Sequence, residues 1–296
     1  MSTTTDVGTW TASAVGELLE AQDADGGWGY QSGQPASTEP AALAMLALST
    51  IDLGVNVLPA AADWLTSRIR SDGLLSYSTD VPEASWASPL AGMALNQHGR
   101  TEAAETVARS LLSASVFIFD PGLTQSGIYG YDTTIPGWPW TAGDFSFVEP
   151  TSLAIIFLKQ QGHSQSDPVR QGVSLLHDRA LPAGGWNYGE PRVLGGDLFP
   201  TVLPTALSLL ALADETDDTT TSGLDDLLAQ RGQISSLLSL GWATIALNVH
   251  DALDEAWQSD VVTRWCELPA KRRDPMSTAL CLLGLANREG HPFALG

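Results

Sequence analysis

Lysine is nearly missing from this chain: Lys159 and Lys271 are its only two, and 22 Asp with 12 Glu set a net charge of -20 at pH 7. A field of that sign repels phosphate backbones and anionic lipid, which excludes nucleic acid as an expected partner. Cysteine is scarce as well. Cys266 and Cys281 lie far from any histidine pair, so an ordinary zinc site is excluded and buried free thiols are expected. No run stays apolar for the ~18 residues a spanning helix needs, and Met1-Ser2-Thr3-Thr4-Thr5-Asp6 lacks the regions of a secretory signal. A soluble, cytoplasmic protein without an integral membrane span is the expectation. The Asp-rich, Lys-poor balance also suits concentrated salt, where screening removes most self-repulsion.

Also missing is the Val/Ile alternation of a sheet; the apolar content sits in Leu and Ala, which favour helix. What is present is a repeat. Gln22-Asp23-Ala24-Asp25-Gly26-Gly27-Trp28 leads into Glu39-Pro40-Ala41-Ala42-Leu43, and Gly184-Gly185-Trp186 leads into Leu203-Pro204-Thr205-Ala206-Leu207. Weaker copies run from Ser71-Asp72-Gly73 to Ser88-Pro89, and from Gln125-Ser126-Gly127-Ile128-Tyr129 to Glu149-Pro150; Asp274-Pro275 supplies a fifth proline-led start. Such a period belongs to repeat architectures.

Between the glycine-aromatic loops, apolar residues recur at helical spacing. The segment Trp10 to Leu19 reads as a half-exposed helix, whereas Ala41 to Leu48, Leu153 to Leu158, Ala206 to Leu212 and Ala279 to Leu285 are apolar nearly all round. Proline at a helix start wastes no hydrogen bond, and a neighbouring acid complements the dipole. Further helices are expected near Leu224 to Gln230, Ile234 to Val249 and Leu253 to Glu267. The expected fold is all-α: an α/α toroid of six helical hairpins, inner and outer rings, forming one domain over residues 1–296. The last repeat is as apolar as the others, which favours closure over an open solenoid with polar caps.

Gln22, Gly26 and Trp28 match the QW repeat of squalene-hopene cyclases, and the proline-led helices resemble the terpene cyclase and protein prenyltransferase superfamily. The resemblance covers nearly the whole chain. It implies a central apolar cavity for an isoprenoid, and a structural role for Gln22, Trp28, Tyr129 and Trp186. The chain departs from the family where chemistry is concerned. It contains no Asp-x-Asp-Asp acid motif, only Asp23-Ala24-Asp25-Gly26 in a loop and Glu215-Thr216-Asp217-Asp218 in a linker. His98, His163, His177, His250 and His291 form no zinc set with Asp and Cys, and are expected at the surface or as caps.

Candidate chemistry therefore rests on acids at helix mouths. Glu39, Glu149, Asp197 and Asp274 are candidate catalytic or ligand groups, since crowded carboxyls raise one another's pKa; capping is the competing role. The aromatic segment Ile135 to Phe147 is long enough for a lid or binding surface, and its Trp138, Trp140 and Asp144 join Trp86 and Trp242 as candidate substrate-binding residues. Arg192, Arg272 and Arg273 are candidate diphosphate contacts. No cofactor is required, with Mg2+ following only if the substrate is a diphosphate. The leading expectation is a non-standard cyclase-like or prenyl-transferring enzyme for a small apolar isoprenoid or lipid-like ligand. The alternatives are a non-catalytic toroid that binds a lipid or a partner protein, and carbohydrate processing, which needs two carboxylates facing a groove.

Overall fold

The structure, a computed structural model, describes residues 6–51, 53–114, 116–118 and 130–295. The sequence copy Gln125 to Tyr129 lies outside them. The helices are α1 (Val7–Glu20), α2 (Thr38–Ser49), α3 (Leu58–Ser67), α4 (Ser88–Gln97), α5 (Thr101–Leu112) and α6 (Val148–Gln160). They continue as α7 (Asp167–Arg179), α8 (Val202–Ala211), α9 (Asp218–Ala229), α10 (Leu237–Val249), α11 (Glu255–Glu267) and α12 (Pro275–Gly284). Among the described residues the protein is all-α apart from isolated bridges and one short hairpin, β1 (Arg192–Val193) paired antiparallel with β2 (Gly196–Asp197). At its tip Leu194 and Gly195 both hold positive φ, 50° and 82°, the pair of left-handed residues that a tight hairpin turn demands. No alternating pattern marks so short a pair, because its turn and not its side chains sets it.

Two compact units gather the chain: Met1–Val107 with Ser235–Pro292, and Ala108–Ile234 with Phe293–Gly296. In the first, the buried helices touch in succession, α10 on α12, α12 on α2 and α2 on α4. The half-exposed α11, α1 and α3 each cover one of them. Every residue of α2 from Pro40 to Leu48 is buried, as its continuous apolar run requires, whereas α1 buries only the stripe Trp10, Ala14, Val15 and Leu18. Helices α10 and α12 approach closely because small residues face the contact. A Cβ on Gly241 would lie 2.6 Å from that of Leu280, and one on Gly284 would lie 2.8 Å from that of Thr244. In the second unit, α6 packs between α7 and α8, and α9 covers α8.

The prolines lie within the first turn rather than always at its first position. Pro275 opens α12, but Pro89 is second in α4, and Pro40, Pro150 and Pro204 are third in theirs. All these amides belong to the unpaired first turn, so the missing N–H still costs nothing. Among the described residues no helix is long and apolar enough to cross a membrane. Two expectations about single residues are corrected: Cys266 is exposed, on the solvent side of α11, and His291 is buried, its Nε2 2.9 Å from the Leu283 carbonyl oxygen.

Candidate functional site

Three tryptophans share one local design. Trp28, Trp138 and Trp186 are buried, and each donates its indole N–H to a carbonyl near the end of the preceding half-exposed helix: Leu18 at 2.7 Å, Leu111 at 3.0 Å and Leu176 at 2.7 Å. Each tryptophan's own backbone carbonyl oxygen in turn accepts from the N-cap amide of the next buried helix, from Ser37, Phe147 and Thr201 respectively. Glycine is required where the indole meets a helix. A Cβ on Gly172 would sit 2.9 Å from the Trp138 ring, and one on Gly223 2.7 Å from the Trp186 ring. Trp138, expected from sequence to bind substrate, is instead a packing residue of this kind.

Those loops shape a pocket of about 390 Å³ in the second unit, within the usual range for small-molecule sites. The segment before α6 supplies Tyr131, Thr133, Ile135, Phe145, Ser146 and Phe147. Facing them are Tyr188, Gly189, Glu190, Leu198 and Phe199 from the loop and hairpin between α7 and α8, with Phe117 beside α5. Phe145 and Phe147 lie with ring centroids 4.6 Å apart. Asn187 spends its amide on the loop itself: Oδ1 accepts from the Gly189 and Glu190 amides and Nδ2 donates to the Glu190 carbonyl oxygen. The wall is mainly apolar, and its mouth is apolar as well, for Phe199 is 85% exposed and Tyr188 54%.

One full charge is built into this wall. Arg179, the last residue of α7, is 5% exposed; its guanidinium stacks 3.9 Å over the Tyr131 ring. Nη1 pairs with Asp178, and Nη2 donates to the Asp132 carbonyl oxygen at 3.0 Å. Desolvation pulls the Arg179 pKa down and pushes that of Asp178 up, each opposed by the attraction between the two. Asp132 is held below the usual carboxylate range by hydrogen bonds from Thr134. Arg179 and Tyr131 were not singled out by sequence. A basic residue ending an amphipathic helix reads as a dipole partner, and only the fold turns it inward.

Within each unit the residues named from sequence have separate partners. Glu149 is 3% exposed in the first turn of α6, two residues after the wall residue Phe147. Asp197 and Arg192 are exposed and bonded to one another at 2.6 Å across the β hairpin, which fixes the hairpin rather than a ligand. Trp140 stacks on Phe147 at 6.5 Å, and Asp144 uses Oδ1 to accept from the Phe145 amide at 2.9 Å. In the first unit, Trp242 is buried in α10, Trp86 is half-buried before α4, and Asp274 caps α12 through the Ser277 amide at 2.7 Å. Arg272 is exposed. Arg273 pairs with Glu17 of α1 and stacks 3.9 Å over Trp265, so this member of the basic run serves packing.

Glu39, half-buried in the first turn of α2, accepts a hydrogen bond from the Tyr30 hydroxyl at 2.7 Å. Burial pushes its pKa up to about 7, with the Tyr30 bond opposing the shift. A second titratable group lies at the end of α7, where His177 places Nε2 2.9 Å from Glu215 and Nδ1 3.7 Å from Asp217. One ligand atom from each of His177, Glu215 and Asp217 lies within 4.8 Å of the others, a spacing that could hold a cation, on a partly solvent-facing cluster.

No protein-family model matches the chain, and no curated protein matches it. Solved structures do. The type II terpene cyclase MstE from Scytonema, in complex with its substrate geranylgeranyl dihydroxybenzoate, is 14% identical with a TM-score of 0.60, covering 97% of either chain. An alpha-amylase from Clostridium perfringens is 11% identical with a TM-score of 0.63 over 93% of this chain and 96% of its own. A protein from Actinoplanes is 18% identical with a TM-score of 0.61 over 95% and 98%. Likeness at such identities shows the fold alone, the all-α toroid class shared with terpene cyclases.

Proposed function

We propose that this protein is a terpene cyclase-like enzyme that takes an isoprenoid or similarly apolar chain into the aromatic pocket of its second unit. The pocket wall carries the reading. Rings of Tyr131, Phe145 and Phe147 bury apolar chain and present π faces that stabilise positive charge in a reacting polyene. MstE, on the same fold, holds a geranylgeranyl substrate. The amylase neighbour makes carbohydrate the natural competitor. Glycoside chemistry needs two carboxyls facing an open polar groove, whereas among the described residues of this wall Glu190 is the only carboxylate and it is exposed.

The chemistry is non-standard. Protonating an isolated alkene calls for a strong acid, and the chain lacks Asp-x-Asp-Asp; Glu39, with a pKa near 7, is a weak one. Of the four acids proposed from sequence, Glu149 is buried beside the pocket wall in sequence, and we assign it the acid role. A carrier that holds its ligand unchanged is the second reading, favoured by the exposed position of Glu190. Native mass spectrometry after incubation with C15 and C20 isoprenoids, followed by product analysis, tests both. Retention with conversion, lost in Glu149→Gln while retention persists, supports the enzyme. Retention without conversion assigns a carrier, and no retention by any chain overturns the pocket assignment.

A further inference from the structure

We infer that the pocket selects a chain ending in an uncharged acceptor oxygen, a ketone, quinone or alcohol, and turns away chains with anionic heads. This rests on the apolar-chain reading above and adds the head group to it.

Arg179 is the sole cation among the residues lining the pocket. Burying a guanidinium in an apolar wall is costly unless its charge is balanced and its N–H groups find acceptors. Its charge is balanced already. Asp178 pairs with Nη1, and Asp178 is itself fixed by the Asp132 amide at 3.0 Å. The Asp132 carboxylate also acts on Arg179, and Glu190 lies in the same wall. One positive charge thus has two negative ones acting on it, with Glu190 exposed in the same wall, inside a protein of net charge -20. A carboxylate or diphosphate head would enter a field of its own sign.

The N–H groups are not all satisfied. Arg179 donates from Nη1 to Asp178 and from Nη2 to the Asp132 carbonyl oxygen, which leaves Nε and the second N–H of each terminal nitrogen without an acceptor among the described residues. In the same wall the Thr201 hydroxyl is buried with no hydrogen-bond partner. Unmet polar groups penalise a pure hydrocarbon, because its entry strips their water and returns nothing. A neutral carbonyl or hydroxyl oxygen meets an N–H donor without disturbing the Asp178 pair. The surrounding rings take the chain.

Partition from cyclodextrin into the full-length protein tests this with five C20 chains that differ only at the head: the hydrocarbon, the alcohol, a methyl ketone, the carboxylic acid and the diphosphate. The ketone and the alcohol are expected to bind about tenfold tighter than the hydrocarbon and than either anion. Asp178→Asn leaves Arg179 charged without its directly paired carboxylate, and is expected to raise affinity for the two anions about tenfold relative to the ketone. The double variant Asp178→Asn/Arg179→Gln removes the pair together and is expected to abolish the preference for ketone over hydrocarbon, with circular dichroism verifying the fold. Tighter binding of the diphosphate or the acid, or equal binding of ketone and hydrocarbon, overturns the head-group assignment while the apolar-chain reading stands. Failure of all five chains to bind overturns both.

Discussion

Trp138 donates its indole N–H to the carbonyl oxygen of Leu111 across 3.0 Å, tying the loop before α6 to the last turn of α5. The bond matches those of Trp28 to Leu18 and Trp186 to Leu176, and it makes three chain segments variants of one device. Truncating Trp138 to Ala removes a large buried ring and orphans the Leu111 carbonyl. The expected loss is about 3–5 kcal/mol, and about 1–2 kcal/mol for Trp138→Phe, which keeps most of the ring. Urea unfolding of the two variants checks the order; equal losses would show that the hydrogen bond, and not the buried area, carries the effect.

Gly223 of α9 makes room for the Trp186 ring, which a Cβ would meet at 2.7 Å. Alanine ordinarily stabilises a helix relative to glycine by about 1 kcal/mol. Here the clash is expected to reverse that sign, giving a net loss of about 1–3 kcal/mol. Thermal denaturation of Gly223→Ala beside Gly232→Ala, where nothing lies within 4 Å of the added Cβ, separates the clash from the backbone effect.

The carboxyl of Glu39 has a folded pKa of about 7 against an ordinary value of 4.5. A raised carboxyl pKa means that the folded protein holds the proton more tightly than the unfolded chain. Its contribution to stability is therefore full below about 4.5 and is lost as pH climbs through 7. The swing is on the order of 3 kcal/mol. Urea midpoints measured at pH 4.5, 6 and 8 should fall along the series, and Glu39→Gln should flatten its upper part. Tyr30→Phe removes a donor to the ionised form and should steepen it.

Arg273 pairs with Glu17 and stacks on Trp265. If packing is its role, Arg273→Ala lowers stability by about 1 kcal/mol and leaves isoprenoid binding unchanged. Loss of binding at unchanged stability would restore the diphosphate role read from the sequence.

Phe199 stands at the pocket mouth, 85% exposed. Its replacement by Ala should move stability by no more than about 0.5 kcal/mol, since little is buried. Affinity for a C20 chain should nonetheless fall several-fold, as the ligand loses the ring it would cover. Parallel unfolding and partition measurements read the two effects independently.

Part of the site was legible in the sequence. The stretch Ile135 to Phe147 stood out as aromatic and long, and it does supply Ile135, Phe145 and Phe147 to the pocket. Of its two tryptophans, Trp138 packs against α5 and Trp140 stacks on the wall residue Phe147. Trp138 precedes the N-cap Phe147 by the same nine residues that separate Trp28 from Ser37, a spacing that marks it as a packing residue. Arg179 gave no signal, because a cation closing a helix is common. The basic run Lys271-Arg272-Arg273 gave a signal without a site, because a charge cluster says nothing of what lies opposite, and what lies opposite Arg273 is Glu17.

By itself the sequence determined the alternation of buried and half-exposed helices, since burial on all sides needs a run apolar all round and a covering helix needs only a stripe. It determined where the buried helices begin as well, because proline and a cap are tolerated only where amides lack partners. Tertiary structure alone decided which polar groups face an apolar pocket. Direction depends on how one helix end is rotated against a distant loop, so Arg179 meets Tyr131 and Asp132, nearly fifty residues earlier, through packing that no local pattern records.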